Sequence, residues 1–493
     1  MYGAGIDLGT TRTAAAVWSA GRVRVLPLEP AEPPDGPVGT ASAPLAVPDP
    51  GDGGCPSAVL IEADGGVQVG SRAERLAADR PQGLARAFKR RFGDEIPYLL
   101  SGHELTAEEL TGHLLGWVLA ALTRSRRGVP PDRTVLTVPA TWQDYRLRCL
   151  DRVTRAAGLA GVTVLPEPAA AAVFYAGRDQ VLPGTTVGVY DFGGGTFDAT
   201  LLRKTSGGFE ILGEPLGLDA VGGVDLDDAL LRLVAAELGG GWSGLDRDEP
   251  DTRRALARLR DDVVRAKETL SVRTELSLPV RLPGLARTLT LRRAAFEDAV
   301  RPLVEQTVEL MADAIDQAGL GTTGVDRILL VGGSSGMPLV ERLLAERLGI
   351  PTVRDAHPKH AVCLGAAIAA GSLLAPGPAV PAPGHGHATA APVPADVLDT
   401  AEILDAGQPG ASGGLPGLEV DLADHGLADA ARVPVRPAAE LRRRLRPAEQ
   451  NEPLHASLAG DDAYGQAARR AALLVIGLVT ALVLVAALLR GGG

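Results

Sequence analysis

A tight turn in the middle of the chain constrains the fold more than any other feature. Residues 187–202 contain two apolar segments that flank Asp191 and three consecutive glycines at 193–195. This pattern predicts an antiparallel β-hairpin. Because glycine has no Cβ atom, successive backbone N–H groups in such a turn can converge on an anion, and phosphate is the anion that we expect. A plain glycine-rich hairpin turn is the alternative that this stretch leaves open by itself.

The start of the chain repeats the same plan. Residues 4–17 contain an apolar strand, Asp7, a short Gly/Thr turn and a second apolar strand, and Asp7 and Asp191 are 184 positions apart. The repetition predicts two α/β lobes, produced by an internal duplication, that each present a phosphate-binding hairpin to a shared cleft. Asp191 and Asp198 would place carboxylates beside the phosphate, as a phosphate-bound Mg²⁺ requires.

Composition excludes several other classes of protein. With 493 residues, 45% of them hydrophobic, the chain has room for two or three domains with a large core. A net charge of −11 and only 3% aromatic residues argue against nucleic-acid binding. No P-loop motif is present. The three cysteines, Cys55, Cys149 and Cys363, lack metal or redox spacing, so we predict small buried side chains in a reducing compartment. No secretory signal peptide precedes the first strand, which predicts that this part of the chain stays in the cytoplasm.

Two charged residues between the hairpins are candidates for chemistry. Glu167 lies between a strand at 162–165 and an alanine-rich helix. Such junctions face the cleft in open α/β sheets, where an acid can orient a water molecule, although an acid there can also simply complement the helix N-terminus. Lys89 belongs to a basic cluster at 89–91, for which a solvated surface is the alternative interpretation.

One helix between these residues has a predicted cap and a predicted buried face. Thr141 with Asp144 three residues later resembles a capping box, which predicts a helix that begins at Thr141. Apolar or small residues recur at every fourth position of this helix, which predicts that they form its buried face; they are Tyr145, Cys149, Val153 and Ala157.

In the second half of the chain, a long amphipathic helix at about 252–270 carries Lys267. A later apolar strand at 327–331 runs into Gly332, Gly333 and Ser334. A strand followed by a glycine turn and a helix is typical of phosphate or nucleoside binding in α/β folds.

Residues 1–375 resemble the nucleotide-binding domain of the heat shock protein 70 (DnaK) chaperones, within the actin and sugar-kinase superfamily. Five ordered motifs carry the resemblance: GIDLGTT at 5–11, VPATWQDYRLRCLDRVTRAAGL at 138–159, PEPAAAAVFYAG at 166–177, VYDFGGGTFD at 189–198 and LLVGGSSGMPLV at 329–340. The resemblance implies a two-lobed actin-like ATPase with duplicated ribonuclease-H-like lobes. It also implies ATP or ADP and Mg²⁺ as ligands, slow ATP hydrolysis, and a chaperone or stress-response context.

The resemblance also implies roles for individual residues. Those implied to act in catalysis are Lys89, Glu167, Thr196 and Asp198. Asp7 and Asp191 would hold hydrated Mg²⁺. The residues implied to bind nucleotide are Gly9, Thr10, Thr11, Gly193, Gly194, Gly195, Thr196, Gly222, Gly223, Lys267, Ser271, Gly332, Gly333 and Ser334. Together they would supply the metal, cation, anion cradle and positioned water that phosphoryl transfer to water needs.

The sequence departs from the family at the nucleoside pocket. Gly336 stands where the family has an arginine on the adenine, Glu268 where a basic residue is common, and Lys359 where the family has an acid. Arg12 and Thr13 also differ from the residues usual after the two threonines. We therefore expect weakened nucleotide affinity and low turnover.

Beyond residue 375 the resemblance ends. Residues 376–468 are rich in Ala, Pro, Gly and Asp, which predicts a mostly structureless spacer in place of a β-rich peptide-binding domain. Within it, 396–405 is a possible short docking segment. Residues 471–489 then form nineteen positions without a charge, and at ~1.5 Å per residue a helix of that length spans about 28 Å.

The apolar stretch predicts a single transmembrane helix at 469–490. Eight arginines lie at 432–470 and only Arg490 lies after the stretch, so the positive-inside rule places the ATPase in the cytoplasm, at the cell membrane. The sequence thus predicts a membrane-anchored DnaK-like ATPase that acts on an unknown membrane-side protein partner. A non-hydrolysing nucleotide sensor or scaffold and a small-molecule kinase of the same superfamily are the alternatives.

Overall fold

The computed structural model describes residues 1–29, 53–77, 79–159, 161–178, 181–206, 208–354, 359–374 and 419–421. The predicted docking segment at 396–405, the predicted transmembrane helix at 469–490 and all of the predicted spacer except 419–421 lie outside these ranges. Within them, no helix is both long enough and apolar enough to cross a membrane.

The described chain contains both strands and helices. The strands are β1 Gly3–Leu8, β2 Arg12–Ser19, β3 Arg22–Leu26, β4 Cys55–Pro56, β5 Ala58–Ile61, β6 Val67–Val69, β7 Leu84–Arg86, β8 Tyr98–Leu100, β9 His103–Leu105, β10 Arg133–Val138, β11 Thr163–Pro166, β12 Thr186–Phe192, β13 Phe197–Thr205, β14 Gly208–Leu218, β15 Glu275–Leu282, β16 Leu285–Arg292, β17 Arg327–Val331, β18 Thr352–Arg354 and β19 Glu419–Asp421. The α-helices are α1 Ser71–Ala77, α2 Ala107–Ser125, α3 Asp144–Ala156, α4 Glu167–Arg178, α5 Gly223–Leu238, α6 Gly240–Ser243, α7 Pro250–Val272, α8 Arg293–Gln317, α9 Pro338–Leu348 and α10 Ala361–Ser372.

The two large sheets share one topology. The first has the order β11-β10-β1-β2-β3-β19, with β4 paired to β2, and the second has the order β14-β13-β12-β17-β18. In each, the first three strands of the lobe pair antiparallel and two later strands add in parallel beside the first strand. The turns β1–β2 and β12–β13 therefore occupy equivalent places, which agrees with the predicted duplication of an α/β lobe.

Helices α4 and α10 lie at the centre of the molecule, between the two sheets, and share one buried cluster with residues of both. Their packing depends on small side chains. A Cβ atom on Gly365 of α10 would lie 1.8 Å from the carbonyl oxygen of Ala170 in α4, and one on Gly5 of β1 would lie 2.2 Å from the backbone nitrogen of Ala367. Only glycine permits these approaches, so the two glycines set how closely α10 packs against α4 and β1.

The predicted start of helix α3 was wrong. The helix begins at Asp144, and its preceding residue makes no side-chain cap. Thr141 is drawn away from capping because its hydroxyl donates to Asp198 Oδ1 at 3.2 Å. The predicted buried face also starts one turn too early, since Tyr145 is 49% exposed while Cys149 and Val153 are buried. The predicted burial of the cysteines is confirmed, because Cys55, Cys149 and Cys363 are all buried, and all three are free.

Candidate functional site

The two hairpin turns meet face to face across the cleft. A Cβ atom on Gly195 would lie 2.1 Å from Thr10 Cγ2, and one on Gly194 would lie 1.9 Å from Thr11 Oγ1. Neither these glycines nor Gly193 has a positive φ angle. At 194 and 195, glycine is therefore required by the close approach of the first turn.

A second pair of glycines supports the turn from behind. Gly223 N donates to the carbonyl oxygen of Gly193 at 3.0 Å, and Val224 N donates to that of Gly194 at 2.8 Å. A Cβ atom on Gly222 would lie 2.5 Å from the backbone of Gly195. Helix α5 thus begins directly against the glycine turn. Its first N–H groups are engaged by the turn, and its dipole favours an anion beside it.

Lys89 and Glu167 form a buried ion pair at the base of the cleft. Lys89 Nζ lies 2.7 Å from Glu167 Oε1, and the two residues are only 8% and 7% exposed. Burial alone would lower the pKa of Lys89, but the charges of Glu167 and Asp7 raise it above its ordinary value. Neither residue is a solvated surface group, so the alternative of a basic surface patch does not hold for Lys89.

Three further carboxylates surround this pair. Burial and the charge of Glu167 raise the pKa of Asp7 to about 7, and the same two causes raise the pKa of Asp198 to about 7. Burial raises the pKa of Asp191 well above its ordinary value, and the neighbouring carboxylates raise it further. Four acids thus share one lysine, which is an excess of negative charge that a divalent cation would neutralise.

The donor set agrees with Mg²⁺ in particular. Among the residues that the structure describes, no group of three or more His, Cys, Asp or Glu side chains is arranged to hold a metal ion. Mg²⁺ does not need such a cage, because it keeps several waters and uses one or two carboxylates together with substrate phosphates. Asp7 and Asp191, at equivalent ends of β1 and β12, are the residues that would hold it.

Arg90 is a site residue that the sequence analysis missed. Its Nε donates to the carbonyl oxygen of Gly195 at 2.7 Å, and its Nη2 donates to Asp225 Oδ2 at 2.6 Å. Asp225 Oδ2 also accepts from Gly222 N at 2.8 Å. One guanidinium therefore joins the segment that carries Lys89 to both glycine turns of the other lobe. Its position in the basic cluster 89–91 was the only sequence feature that pointed to it. That feature does not distinguish Arg90 from Arg91.

The predicted nucleoside residues lie around the same turn. Ser334 donates to the carbonyl oxygen of Gly193 at 2.9 Å, and Lys267 donates to that of Gly223 at 3.0 Å. Lys267 also pairs with Asp227 at 2.8 Å, and Ser271 follows one turn later on α7. Gly332 has φ +82° and closely approaches Asp191, which glycine alone allows. Gly333 follows it at the start of a short 3₁₀ turn.

Two other predicted residues lie in the hairpin turns. Gly9 lies in the first turn, where a Cβ atom would lie 2.2 Å from the carbonyl oxygen of Arg12. Thr196 closes the second turn, because its carbonyl oxygen accepts from Gly193 N at 3.1 Å. Its side chain is half-buried.

The residues that depart from the family form contacts of their own. Lys359 Nζ lies 3.5 Å from Glu268 Oε1, so the unusual base and the unusual acid pair with each other. Lys359 Cε also comes within 4.0 Å of the place where a Cβ atom on Gly333 would lie. Among the described residues, no atom approaches within 4 Å of the corresponding place at Gly336. The rim of the predicted nucleoside pocket thus has an ion pair on one side and open space on the other.

Comparison with known proteins agrees with this geometry. A family model described as "Hsp70 protein" matches residues 94–379, more than half of the chain. "Chaperone protein DnaK" of Elusimicrobium minutum is 33% identical over 376 residues, which is 75% of this chain and 57% of that protein. The proteins of the same name from Methanothermobacter thermautotrophicus and Endomicrobium trichonymphae are each 32% identical, over 75% of this chain and 59% and 57% of their own lengths. The chain therefore spans less than two thirds of the length of these relatives.

Proposed function

The chain belongs to the Hsp70 family, and on that basis we propose that residues 1–375 bind Mg-ATP between the two lobes and hydrolyse it slowly to ADP and phosphate. The observation that carries this proposal is the meeting of the two hairpin turns above the buried Lys89–Glu167 pair. The turns supply backbone N–H groups to the phosphates, and the pair supplies a fixed cation with its counter-charge in a site shielded from water.

The reaction requires a positioned water molecule. Its oxygen forms a bond to the γ-phosphorus while the bond from that phosphorus to the β–γ bridging oxygen breaks, and ADP leaves. We infer that Asp198 accepts the proton of the water, and a pKa raised to about 7 by burial and by the charge of Glu167 supports this role. Thr141 holds Asp198 through its hydroxyl. Mg²⁺, when bound, neutralises charge on the phosphate oxygens.

Phosphate release with Mg-ATP tests this proposal. We expect slow release from the full chain, release that is lost in Glu167→Ala and Thr196→Ala, and unchanged release in Glu214→Ala, a control in which an exposed acid on β14 is removed. Equal release from all four proteins would refute the assignment of the site. Transfer of the phosphoryl group to an acceptor hydroxyl instead of water would indicate a small-molecule kinase.

A nucleotide sensor that binds without hydrolysis is the second candidate. It is supported by the Lys359–Glu268 pair, which replaces the charges expected at the nucleoside pocket, and by the hydroxyl of Ser334, which is already engaged by Gly193. Saturable ATP binding by calorimetry, together with no phosphate release over many hours, would favour this candidate.

We also propose that the chain is anchored in a membrane, with the ATPase on the cytoplasmic side and its output directed to a protein partner there. The support is the run of nineteen uncharged residues at 471–489 and the arginines that precede it. Fractionation tests the anchor: the full chain should sediment with membranes and resist alkaline carbonate, whereas a chain that ends at residue 468 should not. Release of the full chain by carbonate would refute it.

A further inference from the structure

One end of the first sheet lies far from the nucleotide site. At this end, Gly3 at the start of β1 pairs with Trp18 near the end of β2 and with Arg133 at the start of β10. Ser19 pairs with Arg22 where the turn from β2 to β3 closes. The phosphate turn follows the other end of β1, and the 6 residues of this strand, at ~3.3 Å each, separate the two ends by about 20 Å.

The C-terminal end of helix α2 lies at the same end of the sheet. Arg126, the residue after α2, has its guanidinium carbon 5.2 Å from the centre of the Tyr2 ring. A cavity of about 200 Å³ is lined by Arg126 together with Arg22, Arg24 and residues of β2 and its turn. The Nε atom of Arg126 is buried and has no hydrogen-bond partner among the described residues. Three separate segments therefore bring guanidinium groups to one place.

We call these three segments, 1–3, 18–24 and 124–133, the basic end. They contain six arginines and a single acid, Asp132. The arginines are Arg22, Arg24, Arg124, Arg126, Arg127 and Arg133. The carboxylate of Asp132 accepts from the backbone N–H of Tyr2 at 2.7 Å. Because the whole chain has a net charge of −11, the basic end is opposite in sign to the rest of the protein and attracts an anionic partner.

Exposed apolar side chains accompany these arginines. Val129, in the loop between α2 and β10, is 55% exposed, and Met1 is 90% exposed. The loop is fixed to β1, because the Tyr2 hydroxyl donates to the carbonyl oxygen of Val129 at 2.9 Å and Asp132 N donates to that of Tyr2 at 3.0 Å. Affinity for an anionic membrane rises both with basic charge and with inserted apolar area. Nucleic acid would instead be favoured by exposed aromatic rings, but Tyr2 is only 4% exposed.

The described chain also leaves the first lobe at this end. A Cβ atom on Gly371 of α10 would lie 2.4 Å from the ring of Trp18. One on Gly3 would lie 2.8 Å from Ala370 Cβ. Helix α10 therefore ends beside the start of β1, and Leu373, the residue after it, is 40% exposed. The nineteen uncharged residues proposed as the anchor lie further along the same chain.

We propose that the basic end docks on an anionic membrane surface, with its arginines at the lipid head groups and Val129 at the boundary with the acyl chains. The potential of such a surface falls off within about 8 Å at physiological salt, so the contact is direct. The phosphate turn, at the other end of β1, stays open to nucleotide. One support, the place where the chain leaves the lobe, rests on the proposed anchor. The charge and the exposed apolar side chains do not.

A fluorophore at position 129 tests the contact. The full chain with Val129→Cys is labelled with an environment-sensitive dye, which the buried native cysteines should not take up. It is then reconstituted into liposomes of phosphatidylcholine alone or of phosphatidylcholine and phosphatidylglycerol at about 7:3. We expect stronger emission at shorter wavelength in the anionic liposomes, and loss of this shift in high salt. The same label at Leu99→Cys, an exposed residue of β8, should not respond. Equal emission from position 129 in both lipids would overturn the proposal.

Removal of charge tests the role of the arginines in the labelled Val129→Cys chain. Arg124→Gln, Arg127→Gln and Arg133→Gln together change exposed side chains only, and this triple variant should lose the spectral shift. A triple variant that keeps the full shift would overturn the proposal.

A matched control removes the same charge elsewhere. Arg253→Gln, Arg258→Gln and Arg260→Gln change three exposed arginines of α7, and the shift should remain. A shift produced by transfer RNA or by polyglutamate, but not by anionic liposomes, would overturn the lipid proposal and indicate a nucleic acid or an acidic protein. Phosphate release should be the same in both triple variants, and carbonate extraction tests the anchor, so the three proposals can fail separately.

Discussion

Lys89 Nζ lies 2.7 Å from Glu167 Oε1, although the two residues are 78 positions apart and come from different elements of the first lobe. A buried pair of this kind is costly to break, because removal of one partner leaves the other charge without compensation. We expect Lys89→Met to lower the free energy of unfolding by about 3–5 kcal/mol. The double variant Lys89→Met with Glu167→Gln should recover much of this loss in urea unfolding, while phosphate release stays absent in both. A double variant no more stable than the single one would contradict this account of the pair.

The glycine turn should tolerate a methyl group at one position and not at another two residues away. In Gly195→Ala the new Cβ atom would collide with Thr10 at 2.1 Å, whereas in Gly193→Ala its nearest neighbour is the carbonyl oxygen of Thr196 at 3.6 Å. Overpacking of about 1–3 kcal/mol should push the two turns apart and weaken Mg-ATP binding roughly tenfold or more in Gly195→Ala. Calorimetric titration should show Gly193→Ala close to wild type. Equal affinities in the two variants would show that contact between the turns does not shape the phosphate site.

Arg90 and its neighbour Arg91 provide a matched comparison. Arg90 joins Gly195 and Asp225 across the cleft. Arg91 instead contacts Asp94, the backbone of Ile96 and the ring of Tyr98, all within its own segment. Lysine cannot reproduce the two-pronged geometry of a guanidinium. We expect Arg90→Lys to reduce single-turnover phosphate release by about tenfold, the equivalent of one lost charged hydrogen bond, and Arg91→Lys to leave it unchanged. The same reduction in both variants would point to a general effect of the basic cluster.

The raised pKa of Asp198 makes the stability of the metal-free protein depend on pH. In the folded protein Asp198 keeps its proton up to about pH 7, whereas in the unfolded chain it loses it near its ordinary pKa of about 3.9. Between these values the folded state binds more protons, so this group's contribution to the free energy of unfolding falls as pH rises, by about 1.4 kcal/mol per pH unit at most.

The variant Asp198→Asn has no carboxyl group at this position, so it lacks the pH-dependent contribution of Asp198 to the free energy of unfolding. Without Mg²⁺ or nucleotide, urea unfolding of the variant should therefore gain stability relative to the wild type as pH rises from about 4.5 to about 7. A difference between the two proteins that does not change with pH would contradict the raised pKa.

The open space at Gly336 suggests a gain of affinity. In the part of the chain that the structure describes, no atom lies within 4 Å of the place that a side chain there would first occupy. Gly336→Arg would supply a planar guanidinium able to stack on a base, and we expect tighter ATP binding by roughly 0.5–1 kcal/mol. Gly336→Leu adds bulk without the guanidinium and should not reproduce the gain. Calorimetry of both variants measures the effect, and equal affinities would indicate that the base does not reach this position.

The sequence alone predicts those parts of the site whose residues lie within one short stretch of the chain. Each hairpin shows its Asp, its turn and its apolar strands within about fifteen residues, and Glu167 shows itself by the strand before it and the helix after it. Contacts between distant segments leave no such local pattern. Thr141 was assigned to a capping box because the contact that directs its hydroxyl, Asp198, is 57 positions away.

The roles of residues within one basic run depend on burial and on distant contacts, which the local sequence does not show. Lys89, Arg90 and Arg91 are equivalent as a basic run, yet Lys89 is buried against Glu167 and Arg90 crosses to the other lobe. The strand at 419–421 was missed for a different reason. Its alternation of apolar and acidic residues is a signal of period two, but it is only three residues long within a segment whose composition predicts no strands.

The pairing of β19 with β3 joins positions that are about four hundred residues apart in one covalent chain. Such a segment meets its site at an effective concentration that the connecting chain sets, and not the amount of protein in solution. For short connections that concentration is in the millimolar range, and beyond the optimal length it falls roughly as the −3/2 power of the length. A short strand of the same chain can therefore occupy the edge, and a free peptide would have to bind more tightly to displace it. The edge strand β3 is therefore selective, because β19 of the same chain competes with other chains that could pair with it, and those that bind weakly are excluded.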